Sequence, residues 1–312
     1  MQVYVTRTIP DSYIERIRDI ADVDVWEGDS PVPRTELLAR VAGIDGLFSM
    51  LTDRIDADLL DAAPQLQVVS QMSVGVDNID VDACRERGVR VGHTPDVLTG
   101  TVADHAFALL LAVARRLPEG ADEVRSGRWG TWDPWHLLGA DVHETTLGVV
   151  GMGRVGRAVA DRASGFGMDI VYASPRDSGS EGRHVDFDDL LRLSDHVVIT
   201  VPLNSQTRGM FDARAFGLMK PTATLVNVAR GPIVDSTALV NALETREIFG
   251  AGLDVTDPEP LPADHPLVAL PNCLVVPHIA SASTRTRHRM AERTVDNLIA
   301  ALTGAEMPSQ LV

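Results

Sequence analysis

Short apolar runs alternate with amphipathic stretches through the first hundred residues. Residues 3–6, 23–26, 46–50, 67–71 and 89–92 are compact and apolar, and helical patterns such as 12–20 and 35–41 separate them. Strand alternating with helix predicts a parallel, doubly wound sheet. A long helix is expected from near residue 99 to about residue 116, and a domain boundary is placed at its start. A second alternating series follows, with strands at 146–150, 169–173, 196–201, 223–227, 250–253 and 273–276 and helices from about Asp188, Ala213 and Ser236. The last helical pattern, about 283–302, has no sheet left to cover there and is expected to return to the first domain. The chain therefore divides into a first domain, 1–97 completed by 284–312, and a second, 98–283.

The strand at 146–150 runs into Gly151-Met152-Gly153-Arg154-Val155-Gly156, and a helical pattern continues through 157–163. Strand, glycine turn and helix in that order form the context of a dinucleotide-binding fingerprint. Gly151 allows the tight turn, Gly153 lets a pyrophosphate approach the backbone, and Gly156 lets the helix pack close to its strand. The first-turn N–H groups of that helix, which include those of Arg154 and Val155, would face the phosphates. The fold class is α/β, with two doubly wound parallel-sheet domains: a flavodoxin-like substrate domain and a Rossmann dinucleotide-binding domain.

Composition narrows the partners. A net charge of −16 makes nucleic acid and anionic membranes poor ones. The longest apolar run, 106–114, is too short to cross a bilayer, and the first strand lacks the basic flank of a signal peptide, so a cytoplasmic location is expected. Cys84 and Cys273 match no metal or redox spacing and read as reduced packing residues. Asp186, Asp188 and Asp189 suit a helix start, and Arg285, Arg287, His288 and Arg289 suit a solvated helix face, so no metal site is expected.

Three polar residues fall beyond the carboxyl ends of predicted strands, where open parallel sheets place their chemistry. Arg230 follows 224–227, Glu259 follows Gly252-Leu253-Asp254, and His278 follows 274–277. A guanidinium fork matches a carboxylate, so Arg230 would hold the acid end of a small 2-oxo acid. A histidine delivers a proton near neutral pH, and a carboxylate beside it stabilises its charged form. Together they describe carbonyl reduction by hydride transfer. Each also has a plain structural role open to it: packing histidine, Glu-Pro turn, strand-end cap.

Val74-Gly75-Val76-Asp77, the glycine fingerprint, Asn227-Val228-Ala229-Arg230-Gly231, Gly252-Leu253-Asp254-Val255, Pro258-Glu259-Pro260 and Pro277-His278-Ile279-Ala280-Ser281 follow one another in a fixed order over nearly the whole chain. In that order and spacing the chain resembles the D-isomer-specific 2-hydroxyacid dehydrogenases, and most of all those that reduce glyoxylate and hydroxypyruvate. The resemblance implies that Arg230 binds the substrate carboxylate, that His278 is the proton donor paired with Glu259, and that N–H groups at Val74 and Gly75 hold the carboxylate from the other domain. It further implies a substrate contact at Ser281. Cofactor contacts are implied at Thr101, Pro202, Val228, Ala280 and Asp254, the last orienting the nicotinamide carboxamide. Ala280 departs from the glycine usual beside the histidine.

An NAD enzyme usually ends its second strand with an acid that bonds the adenosine ribose. Here Asp169-Ile170-Val171-Tyr172 is followed by Ala173, Ser174, Pro175 and Arg176. Ser174 and Arg176 can bond a 2′-phosphate, so NADPH is the expected cofactor, with NADH as the alternative and Asp177 as the competing ribose partner. Trp129, Trp132 and Trp135 cluster in a turn-rich segment. The resemblance implies a homodimer there, with Trp132 reaching the partner's substrate pocket. Two rival readings stand beside the small-acid reductase: a 2-ketogluconate-type sugar-acid reductase, and a non-catalytic dinucleotide-sensing protein.

Overall fold

The computed structural model, which describes residues 1–312, places twelve strands in two separate sheets in which every strand-to-strand pairing is parallel, with one antiparallel bridge from Gly92 of the fifth strand to Gln310. The chain divides into two units, Met1–Leu98 with Ser283–Val312, and Thr99–Ala282.

The first unit runs β1 (Gln2–Val5), α1 (Asp11–Arg18), β2 (Asp22–Val25), α2 (Arg34–Arg40), β3 (Gly46–Ser49), α3 (Ala57–Ala62), β4 (Val68–Gln71), α4 (Val81–Glu86) and β5 (Arg90–Gly92). Its strand order is β2-β1-β3-β4-β5, so the direction of winding reverses between β1 and β3. The central strands β3 and β4 are buried at every position, as strands covered on both faces must be. The edge strand β2 is instead half exposed, and Asp22 and Asp24 place charge where another strand would otherwise pair. The last helix of the chain, Thr284–Leu302, returns to this sheet and buries Val295 and Leu298 against Val3, Val5 and Phe48. Each such side chain contributes about 1.5–3 kcal/mol on full burial. Ser283 caps the helix by accepting the Thr286 N–H.

The second unit runs α5 (Thr99–Ala114), α6 (Leu117–Arg125), β6 (Thr146–Val150), α7 (Arg154–Ser164), β7 (Asp169–Ala173), β8 (Arg183–His184), α8 (Phe187–Leu193), β9 (His196–Ile199), α9 (Ala213–Leu218), β10 (Thr224–Asn227), α10 (Ser236–Glu244), β11 (Gly250–Leu253), α11 (Pro266–Ala269) and β12 (Cys273–Val275). The order β12-β11-β10-β9-β6-β7-β8 reverses between β6 and β9, the switch point at which a Rossmann sheet opens its ligand crevice. Helices on this sheet begin at acid caps: Asp186, Asp212 and Asp235 each accept a first-turn N–H.

The long helix expected to reach residue 116 stops at Ala114. Arg116 takes a left-handed φ of 52°, and Pro118, which has no N–H to give to residue 114, sits in the first turn of the separate helix α6. The orphaned Ala114 carbonyl accepts the Ala140 N–H at 2.8 Å. Cys84 is fully buried, and burial pushes its thiol up to about 11. No helix is long and apolar enough to cross a membrane.

Candidate active site

The glycine fingerprint owes its shape to close backbone approaches. Gly151 has φ +100°, and its N–H donates to Ala173 O at 2.8 Å, tying the turn to the end of β7. A Cβ on Gly156 would lie 2.2 Å from Gly151 O, so only glycine lets α7 start against this turn. A Cβ on Gly153 would meet nothing within 4 Å. The side of the turn facing the start of α7 is thus open, while the other two glycines are hemmed in by backbone. That is the shape a diphosphate needs, with the N–H groups of the first helical turn, Arg154 and Val155 among them, aimed out of it. Thr200 was not singled out from the sequence; its hydroxyl donates to Gly151 O at 2.6 Å and holds the turn from β9.

At the end of β7, Ser174 Oγ donates to Arg176 O at 2.5 Å, and Arg176 is exposed. Asp177 accepts from the Tyr172 hydroxyl and from Gly179 N–H, and these two bonds, the tyrosine's first, hold its carboxyl below the usual range. The acid that competes for the ribose role is therefore engaged by its own loop.

Arg230, Glu259 and His278 come together beyond β10, β11 and β12. His278 Nδ1 lies 2.6 Å from Glu259 Oε1, and the pair keeps 23% and 36% of its side-chain surface exposed. Burial works to raise the Glu259 carboxyl, but the His278 bond and charge, the Thr256 N–H and the nearby Arg230 charge outweigh it and hold the carboxyl below its ordinary value. Arg230 is presented by a turn that Asn227 builds: its side chain accepts Ala229 N–H at 3.0 Å and donates to Arg230 O at 2.9 Å. The following Gly231 is required because a Cβ there would fall 1.9 Å from Thr256 O, on the loop that carries Glu259. The peptide bonds preceding Pro258 and Pro260 are both cis.

His278 itself sits at φ +51°, a left-handed conformation that histidine adopts at a cost of about 1 kcal/mol or more. Asp254 compensates. Its carbonyl accepts His278 N–H at 2.8 Å, and its carboxylate accepts Ile279 N–H at 2.7 Å and Ala280 N–H at 3.0 Å. His105 Nε2, on α5, lies 3.2 Å from Asp254 Oδ1 without a well-aligned N–H. Asn227 and Thr256 act within their own turns, on residues two and three positions ahead, whereas His105 meets Asp254 across a tertiary contact that the local sequence does not mark.

The other residues singled out from the sequence are placed as follows. Pro202 and Val228 follow β9 and β10, Ala280 and Ser281 follow β12, and Thr101 is in the first turn of α5. Val74 and Gly75 follow β4 in the first unit, where Ser73 O accepts Thr94 N–H at 2.9 Å and Val74 O lies 3.1 Å from His93 Nδ1. Trp132 is 80% exposed in a segment that is neither helix nor strand; Trp129 and Trp135 are 65% and 79% exposed.

Comparison with known proteins gives a consistent result. The family model for the D-isomer specific 2-hydroxyacid dehydrogenase NAD binding domain matches residues 107–280. The chain is similar to a glyoxylate reductase from Korarchaeum cryptofilum, at 47% identity across 100% of this chain and 95% of the relative. It is also similar to a solved structure from Thermus thermophilus, with 49% identity and a TM-score of 0.96 over 100% of both chains. A third likeness is to an NADPH-dependent glyoxylate/hydroxypyruvate reductase from Sinorhizobium meliloti, solved with NADP and malonate: 34% identity, TM-score 0.85, covering 100% of this chain and 96% of that one.

The lowered Glu259 carboxyl has a definite signature in stability. A carboxyl whose folded value lies below its unfolded one, about 4.3 for glutamate, stabilises the fold above that pH and loses the contribution as pH falls through the folded value. Glu259→Gln should therefore be less stable than the parent near neutrality, with the gap closing as the medium is acidified below about pH 4. Urea unfolding of both proteins from pH 7 downward checks this; a gap independent of pH would contradict it.

Proposed function

As this chain belongs to the D-isomer specific 2-hydroxyacid dehydrogenase family, we propose that it is an NADPH-dependent reductase of small 2-oxo acids, turning glyoxylate into glycolate and hydroxypyruvate into D-glycerate. The observation that carries this reading is the 2.6 Å His278–Glu259 bond beside Arg230, on the sheet that also bears the glycine fingerprint. When bound, the nicotinamide supplies the hydride that adds to the carbonyl carbon. His278 delivers the proton to the carbonyl oxygen from Nε2, since Nδ1 is committed to Glu259. Glu259, its carboxyl held below the ordinary range, keeps the ring oriented by accepting from Nδ1. Arg230 pairs with the substrate carboxylate and draws electron density from the adjacent carbonyl. The Val74 and Gly75 N–H groups are assigned to the same carboxylate, and Ser281 to the substrate.

On the cofactor, Ala173 offers neither a partner for the ribose hydroxyls nor repulsion against a 2′-phosphate. With Asp177 engaged by Tyr172, the exposed Arg176 is the group left to bind one, and Ser174 would join it by turning its hydroxyl from Arg176 O to the phosphate. Thr101, Pro202, Val228, Asp254 and Ala280 are assigned to the nucleotide. Leaving three tryptophans in water is costly, and we assign the Trp129, Trp132 and Trp135 face to a homodimer contact that carries Trp132 to the partner's substrate.

The decisive assay is steady-state reduction of glyoxylate and hydroxypyruvate with NADPH and with NADH. Turnover is expected, and His278→Ala should lower kcat by about 10²–10⁴-fold with the affinity for NADPH intact; an active variant or an inert parent would refute the assignment.

Arg176→Ala should raise the NADPH KM by about 10–100-fold, the worth of a charge-assisted bond of about 1.5–3 kcal/mol, and leave NADH little changed. Equal efficiency of the parent with both cofactors would remove the preference.

Light scattering at micromolar concentration should give twice the mass of one chain, and Trp132→Ala should widen acceptance of longer oxo acids without weakening NADPH binding. A monomer, or an unaltered substrate profile, would return the tryptophans to ordinary packing.

A further inference from the structure

We infer that Gln71, paired with Asn78, is a positioning residue that shapes the turn at 73–76 into a seat of three outward N–H donors, those of Val74, Gly75 and Val76. The inference deepens the assignment of the Val74 and Gly75 N–H groups to the substrate carboxylate and rests on it. Gln71 ends β4 with its side chain fully buried, so its amide must be paired within the protein. Asn78 Nδ2 donates to Gln71 Oε1 at 2.6 Å, and Gln71 Nε2 lies 3.1 Å from Asn78 Oδ1. The shorter bond fixes which way the Gln71 amide faces, with its oxygen on Asn78 and its two hydrogens turned to the 73–75 turn. Asn78 is held in turn by donating to Asp53 O at 2.6 Å, which anchors the pair to the loop after β3.

What the pair does is set by the planarity of the peptide. Gln71 Nε2 also donates to Gly75 O at 2.8 Å and to Ser73 Oγ at 2.7 Å, and Ser73 Oγ donates to Gly75 O at 2.6 Å. Across a trans peptide the carbonyl and the following N–H point in opposite directions. Drawing Gly75 O inward to the amide therefore turns Val76 N–H outward. The two preceding planes are held in the same manner: Thr94 N–H on Ser73 O orients Val74 N–H, and His93 Nδ1 on Val74 O orients Gly75 N–H. None of the three N–H groups donates to an acceptor within the protein. Three adjacent peptide dipoles held by their oxygens form an anion-binding concavity at no reorganisation cost on binding. Of the three clamps only that on Gly75 depends on a buried side-chain amide; without Gln71 the Gly75 carbonyl keeps only the Ser73 hydroxyl, itself no longer held by the amide, so that plane loosens and the other two stay as they are.

The test uses the full chain and three variants: Gln71→Met, which keeps the shape and loses the bonds; Gln71→Asn, which shortens the reach; and Gln71→Asn with Asn78→Gln, which exchanges the two amides and restores their combined length. Readouts are the glyoxylate KM, the inhibition constant of oxamate, the NADPH dissociation constant and Tm. Gln71→Met should raise KM and the oxamate constant together by about tenfold, the equivalent of one hydrogen bond of about 1.4 kcal/mol, with NADPH binding unaltered. The exchanged pair should bring both constants back towards the parent relative to Gln71→Asn alone. Unchanged constants in Gln71→Met would overturn the inference. So would a loss shared equally by NADPH binding and Tm, or an exchanged pair no better than Gln71→Asn. Failure of the parent to turn over glyoxylate would overturn the proposed function and this inference with it, whereas the variant-to-parent ratios judge Gln71 alone.

Discussion

One carboxylate, that of Asp254, holds the conformation on which the candidate chemistry depends. It is 1% exposed, and a buried charge of that kind persists only where hydrogen bonds replace water. Here the bonds come from Ile279 and Ala280 N–H, and the Asp254 carbonyl takes that of His278. The same three bonds hold His278 in a left-handed conformation that an isolated chain would leave. Asp254 is in turn fixed by its own N–H on Asn227 O, and Asn227 by its side chain shapes the turn that presents Arg230. Arg230 and His278 are thus set by one connected group of polar contacts spanning the ends of β10, β11 and β12.

The glycines of the second unit complement this network by letting backbones come closer than a side chain permits. Gly231 admits the Thr256 carbonyl and so brings the Glu259 loop against the Arg230 turn, while Gly156 admits the Gly151 carbonyl and seats α7 on its strand. Both are steric requirements with no alternative residue, unlike Gly153, whose Cβ position is open. Within the fingerprint, Gly151 and Gly156 therefore serve the fold, while Gly153 leaves the turn open to approach.

Much of this was legible in the sequence, for a local reason. Where a strand of four or five apolar residues ends, the next few residues must lie at its carboxyl edge, so Arg230, Glu259 and His278 could be placed at one rim from their spacing alone. The same reasoning located the fingerprint and the returning helix Thr284–Leu302. What could not be read depends on tertiary geometry. The break after Ala114 turns on the left-handed turn at Arg116 and the missing Pro118 N–H, and β8, two exposed residues, carries no apolar signal at all. The engagement of Asp177 by Tyr172, the clamp of Asp254 on the 278–280 turn and the amide pair of Gln71 with Asn78 each join residues through side-chain contacts that periodicity does not encode.

The electrostatics of anion binding fit this organisation. A chain of net charge −16 repels a 2-oxo acid and a phosphorylated dinucleotide at long range. At physiological ionic strength that repulsion is screened over about 8 Å, so it slows encounter more than it opposes contact. On the proposed reading, the balance within that distance rests with groups whose direction is fixed: the Arg230 guanidinium, the first-turn N–H groups of α7 and the N–H row at 74–76. Fixed dipoles need not reorganise to meet an anion, whereas a mobile surface arginine must lose side-chain freedom to do so. An acidic protein can therefore bind anions well where its donors are held by backbone and buried side chains, as the proposed reading has Asn227 do for the Arg230 turn and Gln71 for the N–H row at 74–76.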